Sequence, residues 1–114
     1  GLNFLDVGCG HGLVTREAIY SRFHVTALEL SDIERDIVYS LTKTMPVNSS
    51  FEDYSCDAGS FDVINLSQIL EHAFDINLWI KKANNLLNKK DSKSSIFAFK
   101  KNDSSKLHFM RISR

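Results

Sequence analysis

LDVGCGHG, Leu5 to Gly12, is the stretch whose reading decides the fold. Asn3 to Val7 is mostly apolar, extended in character, and stops at a glycine. That pattern predicts a buried parallel strand running into a turn. Gly8, Gly10 and Gly12 then alternate. Glycine permits positive φ and lets a ligand approach the backbone closely. Helical spacing follows, with Leu13, Val14, Ala18 and Ile19 on one face and Phe23 near the end. The amides that open such a helix lack intrahelical partners. A strand, a glycine loop and a helix in this order form a ligand site, which in dinucleotide enzymes receives a pyrophosphate. Here the pattern is G-x-G-x-G rather than G-x-G-x-x-G, and Asp6 precedes it. A carboxylate at the mouth of the loop suits a cationic amine better than a phosphate. The plain alternative is a tight turn without a ligand, and three alternating glycines in this context weigh against it.

Outward from the loop, strands and helices keep alternating. His24 to Leu30 reads as a second strand, and Ser31 stands three residues before Glu34 in the spacing of a capping box. Ile33, Ile37, Val38, Leu41 and Met45 make the next helical stripe, which Pro46 ends. Val47 to Phe51 is a weaker strand candidate, because Asn48, Ser49 and Ser50 have poor β propensity. Glu52 to Ser60 reads as a polar loop and Phe61 to Leu66 (FDVINL) as the fourth strand. Asp75 can cap a helix whose apolar face is Ile76, Trp79, Ile80, Ala83, Leu86 and Leu87. Asn88 to Ser95 is a lysine-rich loop, Ile96 to Phe99 a fifth strand, and Leu107 to Ile112 a short strand or a frayed end. Alternation of this kind predicts an α/β domain, a Rossmann-like doubly wound and mainly parallel sheet with helices on both faces.

The remaining candidates fall at the ends of these strands. Glu29 lies 21 positions after Gly8, the spacing at which a doubly wound fold places an acid on ribose hydroxyls. The alternative for Glu29 is a solvated surface glutamate. Glu52 and Asp53 follow the weak strand and could meet the exocyclic amine of an adenine, with Asp57 as a rival. Ser67 to His72 (SQILEH) follows the fourth strand, where open α/β sheets bind ligands. Glu71 and His72 are the candidate catalytic groups, His72 as a general base because its reference pKa lies near neutrality. A lone histidine is more often structural. His11 sits inside the loop, as well placed for capping as for ligand contact. Trp79 reads as core packing.

Composition sets wider bounds. The 114 residues suit one small domain, and 43% hydrophobic with 25% charged residues is ordinary for a globular chain. Lys plus Arg equals Asp plus Glu at 14 each, so no sequence-wide basic field attracts nucleic acid or an anionic membrane. No apolar run has the length of a transmembrane segment, and no signal segment opens the chain. Cys9 and Cys56 do not form a metal-type cluster, and no metal site is expected. Both read as reduced thiols, and the expected location is cytoplasmic. Because the chain opens abruptly on its central strand, upstream sequence is expected to be missing.

Together these residues resemble the class I S-adenosylmethionine-dependent methyltransferases. LDVGCGHG is similar to that family's first motif, ALELSD (Ala27 to Asp32) to its second-strand acidic motif, and FEDYS (Phe51 to Ser55) to its adenine-side acidic loop. FDVINLSQILEH (Phe61 to His72) resembles the stretch FDxIxxxxxLEH of the subgroup that includes ubiquinone-biosynthesis methyltransferases. The resemblance implies S-adenosyl-L-methionine as cofactor. It implies that Gly8, Cys9, Gly10 and Gly12 lie, by their backbone, against the methionine part, and that Asp6 orients its amine through water. It further implies that Glu29 holds the ribose hydroxyls, Leu30 flanks the adenine, Asp53 bonds the adenine amine, and the Ser67 backbone approaches the methionine amine. The chain departs from the family after Leu87. Asn88-Lys89-Lys90-Asp91 stands where a proline and two glycines are usual, so the turn into the fifth strand must be built differently. The family's C-terminal edge strands are expected to be missing, which makes residues 1–114 a single, partial cofactor-binding domain.

The function expected from this resemblance is methyl transfer to an acceptor that the sequence does not identify, a small molecule rather than nucleic acid. Two alternatives stand beside it. One is a cofactor-binding module without independent catalysis, motivated by the missing strands. The other is a nicotinamide-dependent Rossmann oxidoreductase, motivated by the strand–glycine–helix unit and Glu29, and opposed by the glycine spacing and the LEH stretch. Oligomeric state is not legible.

Overall fold

A computed structural model describes residues 1–66, 75–90, 93–101 and 107–113, with 98–101 and 107–113 described as backbone. The elements run β1 (Asn3–Val7), α1 (Leu13–Tyr20), β2 (His24–Leu28), α2 (Asp32–Thr42), β3 (Val63–Asn65), α3 (Ile76–Leu86), β4 (Ser95–Lys101) and β5 (Leu107–Ser113). They build one sheet in the order β2-β1-β3-β4-β5. The β1–β2, β1–β3 and β3–β4 pairs are parallel, and β4–β5 is antiparallel.

The pleat of β1 sorts the two faces. Leu5 and Val7 point to one side, where they join Leu28, Ile64, Leu66 and Ile96 under Trp79, Ala83 and Leu86 of α3. Asp6, between them, points to the other side and meets Thr15 of α1. On that same side Cys9, Ala27 and Val38 of α2 form a second, smaller cluster. Helices therefore cover both faces of a mainly parallel sheet, as expected. With β2 on one side of β1 and β3 on the other, the winding reverses at β1. That reversal opens a crevice beyond the C-terminal ends of the strands.

Several local expectations hold. Asp75 caps α3, its Oδ1 accepting from the amides of Asn77 at 2.9 Å and Leu78 at 3.2 Å. Ser31 caps α2 by accepting from the Glu34 amide at 3.3 Å. The reciprocal half of the capping box is absent, because the Ser31 amide donates to Glu29 Oε2 at 3.1 Å instead.

Three expectations are corrected. Val47 to Phe51 is no strand; only Val47 pairs, as an isolated parallel bridge to Leu28. The cause is local. Ser49 Oγ donates to the Ser50 carbonyl at 2.8 Å, and Ser50 Oγ accepts from the Asp53 amide at 3.1 Å. These bonds favour a turn over a ladder. The second strand stops at Leu28 rather than Leu30.

The third correction concerns α2, which ends at Thr42, ahead of Pro46. Lys43 turns left-handed at φ 63 and its amide returns to the Tyr39 carbonyl. Of the expected α2 stripe only Val38 is buried, while Ile33 is 74% exposed and Ile37, Leu41 and Met45 are also open. At the sheet edge, the short strand read at Leu107 to Ile112 is present as β5, antiparallel to β4.

Asn88 supplies the different turn expected after Leu87. Its amide donates to the Phe61 carbonyl at 2.6 Å and its Nδ2 to Asp62 Oδ1 at 3.1 Å. Its Oδ1 accepts from the Lys90 amide at 3.0 Å. Asp62 Oδ2 also accepts from the Asn3 amide at 2.8 Å, tying this turn to the start of β1.

Candidate functional site

The glycine loop is held by its own backbone geometry. Gly8, Gly10 and Gly12 take φ of 66, 55 and 88 degrees, values that L side chains adopt at a cost. The amides of Gly8 and Cys9 both donate to the Leu28 carbonyl, at 2.9 and 3.1 Å. Gly12 packs against α2, where an added Cβ would come within 3.0 Å of Val38 Cγ2. Gly10 faces open space, with nothing within 4 Å of a Cβ placed there.

Glu29 joins the loop to the end of β2. Its Oε1 accepts from the Gly10 amide at 2.9 Å and its Oε2 from the Ser31 amide at 3.1 Å. An ionised carboxylate offers about four lone-pair sites, so acceptor capacity remains on the exposed side. Arg35 braces the segment beyond, with Nη1 donating to the carbonyls of Glu29 at 3.0 Å and Leu30 at 2.8 Å and to Asn48 Oδ1 at 3.1 Å. Its Nη2 also pairs with Asp32.

Asp6 lies under the loop and is fully buried. Thr15 Oγ1 donates to its Oδ2 at 2.7 Å, and Asn65 Nδ2 donates to its Oδ1 at 3.0 Å. Burial pushes its carboxyl above the ordinary carboxylate value; the Thr15 and Asn65 bonds oppose this, and the nearby Glu29 charge adds to it. Asp6 thus links β1, α1 and β3. Cys9 turns its side chain away, into the cluster with Ala27 and Val38. Burial pushes its thiol up to about 12, with the charges of Asp6 and Glu29 adding to the shift, so it is a poor nucleophile. Cys9 is buried and Cys56 exposed, and neither is paired. His11 reaches α2 rather than the crevice, its Nδ1 2.9 Å from Glu34 Oε2.

Together these elements border a cleft of about 370 Å³ at the crevice. Val7, Gly8, Gly10, Leu28, Glu29 and Leu30 form one wall, and Ser49, Ser50, Phe51, Glu52 and Trp79 the other. The volume lies within the range of small-ligand and cofactor sites. An acid at one side, a bare glycine backbone and apolar surface from Leu30, Phe51 and Trp79 suit a nucleoside with a charged tail.

Four of the expected cofactor residues, Gly8, Gly10, Glu29 and Leu30, border this cleft, while Asp6, Cys9 and Gly12 support it from behind. Of the acidic pair, Glu52 borders the cleft; Asp53 is exposed outside that lining, and so is its rival Asp57. Phe51 and Trp79 were not expected at the site. They pack edge to face with ring centroids 5.3 Å apart and present apolar surface to the cleft. The position of Phe51 just before the acidic pair was the available signal. Ser67, Glu71 and His72 lie outside the described residues.

A family model described as a methyltransferase domain matches residues 1–93. The chain belongs to that methyltransferase domain family. A ubiquinone biosynthesis O-methyltransferase of Xanthomonas axonopodis pv. citri (strain 306) is 33% identical over 93 residues, covering 76% of this chain and 39% of that protein. Among solved structures, a TehB-like SAM-dependent methyltransferase from Corynebacterium glutamicum superposes with a TM-score of 0.74 at 14% identity, over 93% of this chain and 58% of that one. The plantazolicin methyltransferase BpumL, solved with a monoazolic desmethylPZN analog and SAH, gives a TM-score of 0.76 at 20% identity, over 91% of this chain and 40% of that one. The methyltransferase fold is therefore shared, and the chain spans 39% of the length of the Xanthomonas relative. S-adenosylmethionine is the cofactor to which this family assignment points. Among the described residues, no helix is long and apolar enough to cross a membrane, and no His, Cys, Asp and Glu cluster is arranged to hold a metal.

Proposed function

We propose that residues 1–114 form a single, partial domain that binds S-adenosyl-L-methionine in the cleft at the ends of β1 and β2 and serves methyl transfer to a small-molecule acceptor. The carrying observation is Glu29, which accepts the Gly10 amide at 2.9 Å while bordering the cleft. One carboxylate then orders the loop that meets the methionine part and stands ready for the ribose hydroxyls. Gly8 and Gly10 admit the ligand to the backbone; Cys9 and Gly12 maintain the curve of the loop. Asp6 directs its field at the amine from below. Leu30 flanks the base, and the acidic pair meets the exocyclic amine, Glu52 from the cleft wall and Asp53 from the exposed position next to it. The Ser67 backbone serves the methionine amine.

When bound, the cofactor supplies an electrophilic methyl group on a sulfonium. The residues of this chain hold donor and acceptor in line. A base is needed only when the acceptor must lose a proton, and we assign that role to His72, with Glu71 next. The named Xanthomonas relative supports a small-molecule acceptor over nucleic acid. Two free cysteines support a reducing, cytoplasmic setting.

Isothermal titration with S-adenosylhomocysteine, paired with turnover on a panel of phenolic acceptors, tests the reading. Saturable binding is expected; its absence at millimolar ligand with folded protein would sink the reading, and binding of NADH instead would favour a nicotinamide enzyme. The short span relative to the relatives favours a second reading, a cofactor-binding module without catalysis of its own. Binding without turnover, restored in a longer chain, separates that case from loss of function.

A further inference from the structure

We propose that Lys82 is a positioning residue that fixes the base-side wall of the cleft and thereby sets its preference for an amine-bearing purine, an inference that rests on the cofactor reading above. Residues 50–54 make one isolated helical turn, closed by the Tyr54 amide donating to the Ser50 carbonyl at 3.1 Å. A turn of this kind leaves its last carbonyls without partners. Lys82 Nζ, from α3, donates to three of them: Phe51, Glu52 at 3.0 Å and Tyr54 at 2.7 Å. An ammonium has three donors, and here each finds an acceptor in the same turn. The ammonium also lies 5.0 Å from the Phe51 ring centroid, within cation–π range.

Trp79, three residues earlier on α3, also packs against Phe51, edge to face with ring centroids 5.3 Å apart. One face of α3 thus supplies both the apolar seat and the charge that orient the turn. The consequence falls on Glu52 and Asp53, the two acids available to accept from an exocyclic amine. Ser49, Ser50, Phe51 and Glu52 all border the cleft, yet none of them belongs to a strand. Among the described residues, the bridge at Val47 is what pairs this wall with the sheet. Without Lys82 the wall would keep the Val47 bridge, the Arg35–Asn48 bond, the Tyr54–Ser50 bond, two serine hydroxyls and the packing of Phe51 and Tyr54, but its Phe51, Glu52 and Tyr54 carbonyls would lose the ammonium that gathers them. Carboxylates on an unfixed turn still attract cations but no longer distinguish one base edge from another.

The test compares wild type, Lys82→Met and Lys82→Arg in calorimetric binding of S-adenosylhomocysteine and of S-inosylhomocysteine, whose base carries a carbonyl oxygen in place of the amine. Wild type is expected to prefer the adenine ligand. K82M is expected to lose roughly tenfold in affinity for S-adenosylhomocysteine, the scale of one charged hydrogen bond. It should also lose most of the preference, and K82R should recover part of both. If K82M does not fold, Lys82→Gln, which keeps two donors without charge, replaces it and should show a smaller shift in the same direction. Unchanged affinities in K82M would overturn the proposal, as would an equal loss for both ligands, which is the mark of a merely structural lysine. Failure of wild type to bind either ligand would instead overturn the cofactor reading, and this inference with it.

Discussion

The two walls of the cleft are built on opposite plans. The glycine-loop wall is continuous with β1 and β2, and its shape follows from three positive φ values and one carboxylate that clasps the Gly10 amide. The wall at 49–54 leaves the sheet after a single bridge at Val47. It is held from outside, by Lys82 reaching across some thirty positions of sequence to cap its carbonyls. The first wall is determined locally, because glycine adopts these φ values without the cost a side chain would bring, and Glu29 then ties the loop down. The second depends on a long-range electrostatic brace. A cofactor site can therefore join a locally determined half to a tertiary one, and the two halves should respond differently to substitution.

Removal of Glu29 should break the first wall most severely. Glu29→Ala leaves the Gly10 and Ser31 amides without their acceptor and takes away the candidate ribose partner. It should cost about 2 kcal/mol of stability in denaturant unfolding and at least about a hundredfold in S-adenosylhomocysteine affinity, on the scale of hydrogen bonds to charged groups. Retention of wild-type affinity would remove Glu29 from the site.

Two glycine substitutions sharpen the contrast within the loop. Gly12→Ala forces a side chain into φ 88 and against Val38 at 3.0 Å, so it should lower stability by about 2 kcal/mol. Gly10→Ala meets nothing within 4 Å in the free protein. Its stability loss should stay near 1 kcal/mol, while its affinity falls further than that of G12A, because the methyl group enters the ligand's space. Equal ratios of affinity loss to stability loss in thermal melts and calorimetry would contradict this.

The smallest effect concerns pH. Asp6 has its folded pKa raised above 3.8 by burial, so the folded state takes up a proton more readily than the unfolded one. Its contribution favours folding at low pH and is lost as pH rises from 3.8 through the folded value. Asp6→Asn should remove that part of the slope when unfolding free energies are compared from the ordinary carboxylate range upward in pH. An unchanged slope would mean that the burial of Asp6 is not felt by the ionised form.

What the sequence revealed divides along the same line. The loop was legible because glycine at positions 8, 10 and 12 has few reasons to recur except conformation, and Glu29 because its spacing from Gly8 reports the length of one strand–helix–strand unit. Asp75 was legible as a cap for the same local reason. Phe51 at the cleft, the brace from Lys82 and the exposure of Ile33, Ile37 and Leu41 were not. Each depends on which distant element packs against it, and periodicity gives an amphipathic stripe without naming its partner. Asn48, Ser49 and Ser50 did signal weak pairing, but not that the serine hydroxyls would bind nearby backbone and leave a single bridge at Val47. The β5 edge strand was ambiguous for a related reason, since an edge needs only one pairing partner and leaves a weak pattern.

Amide chemical-shift mapping on titration with S-adenosylhomocysteine tests the central claim most directly. The account requires saturable shifts at Gly8, Gly10, Glu29, Leu30 and Glu52, on both walls, with the α2 surface residues Ile37 and Leu41 unmoved. Shifts confined to one wall, or centred away from the ends of β1 and β2, would contradict it.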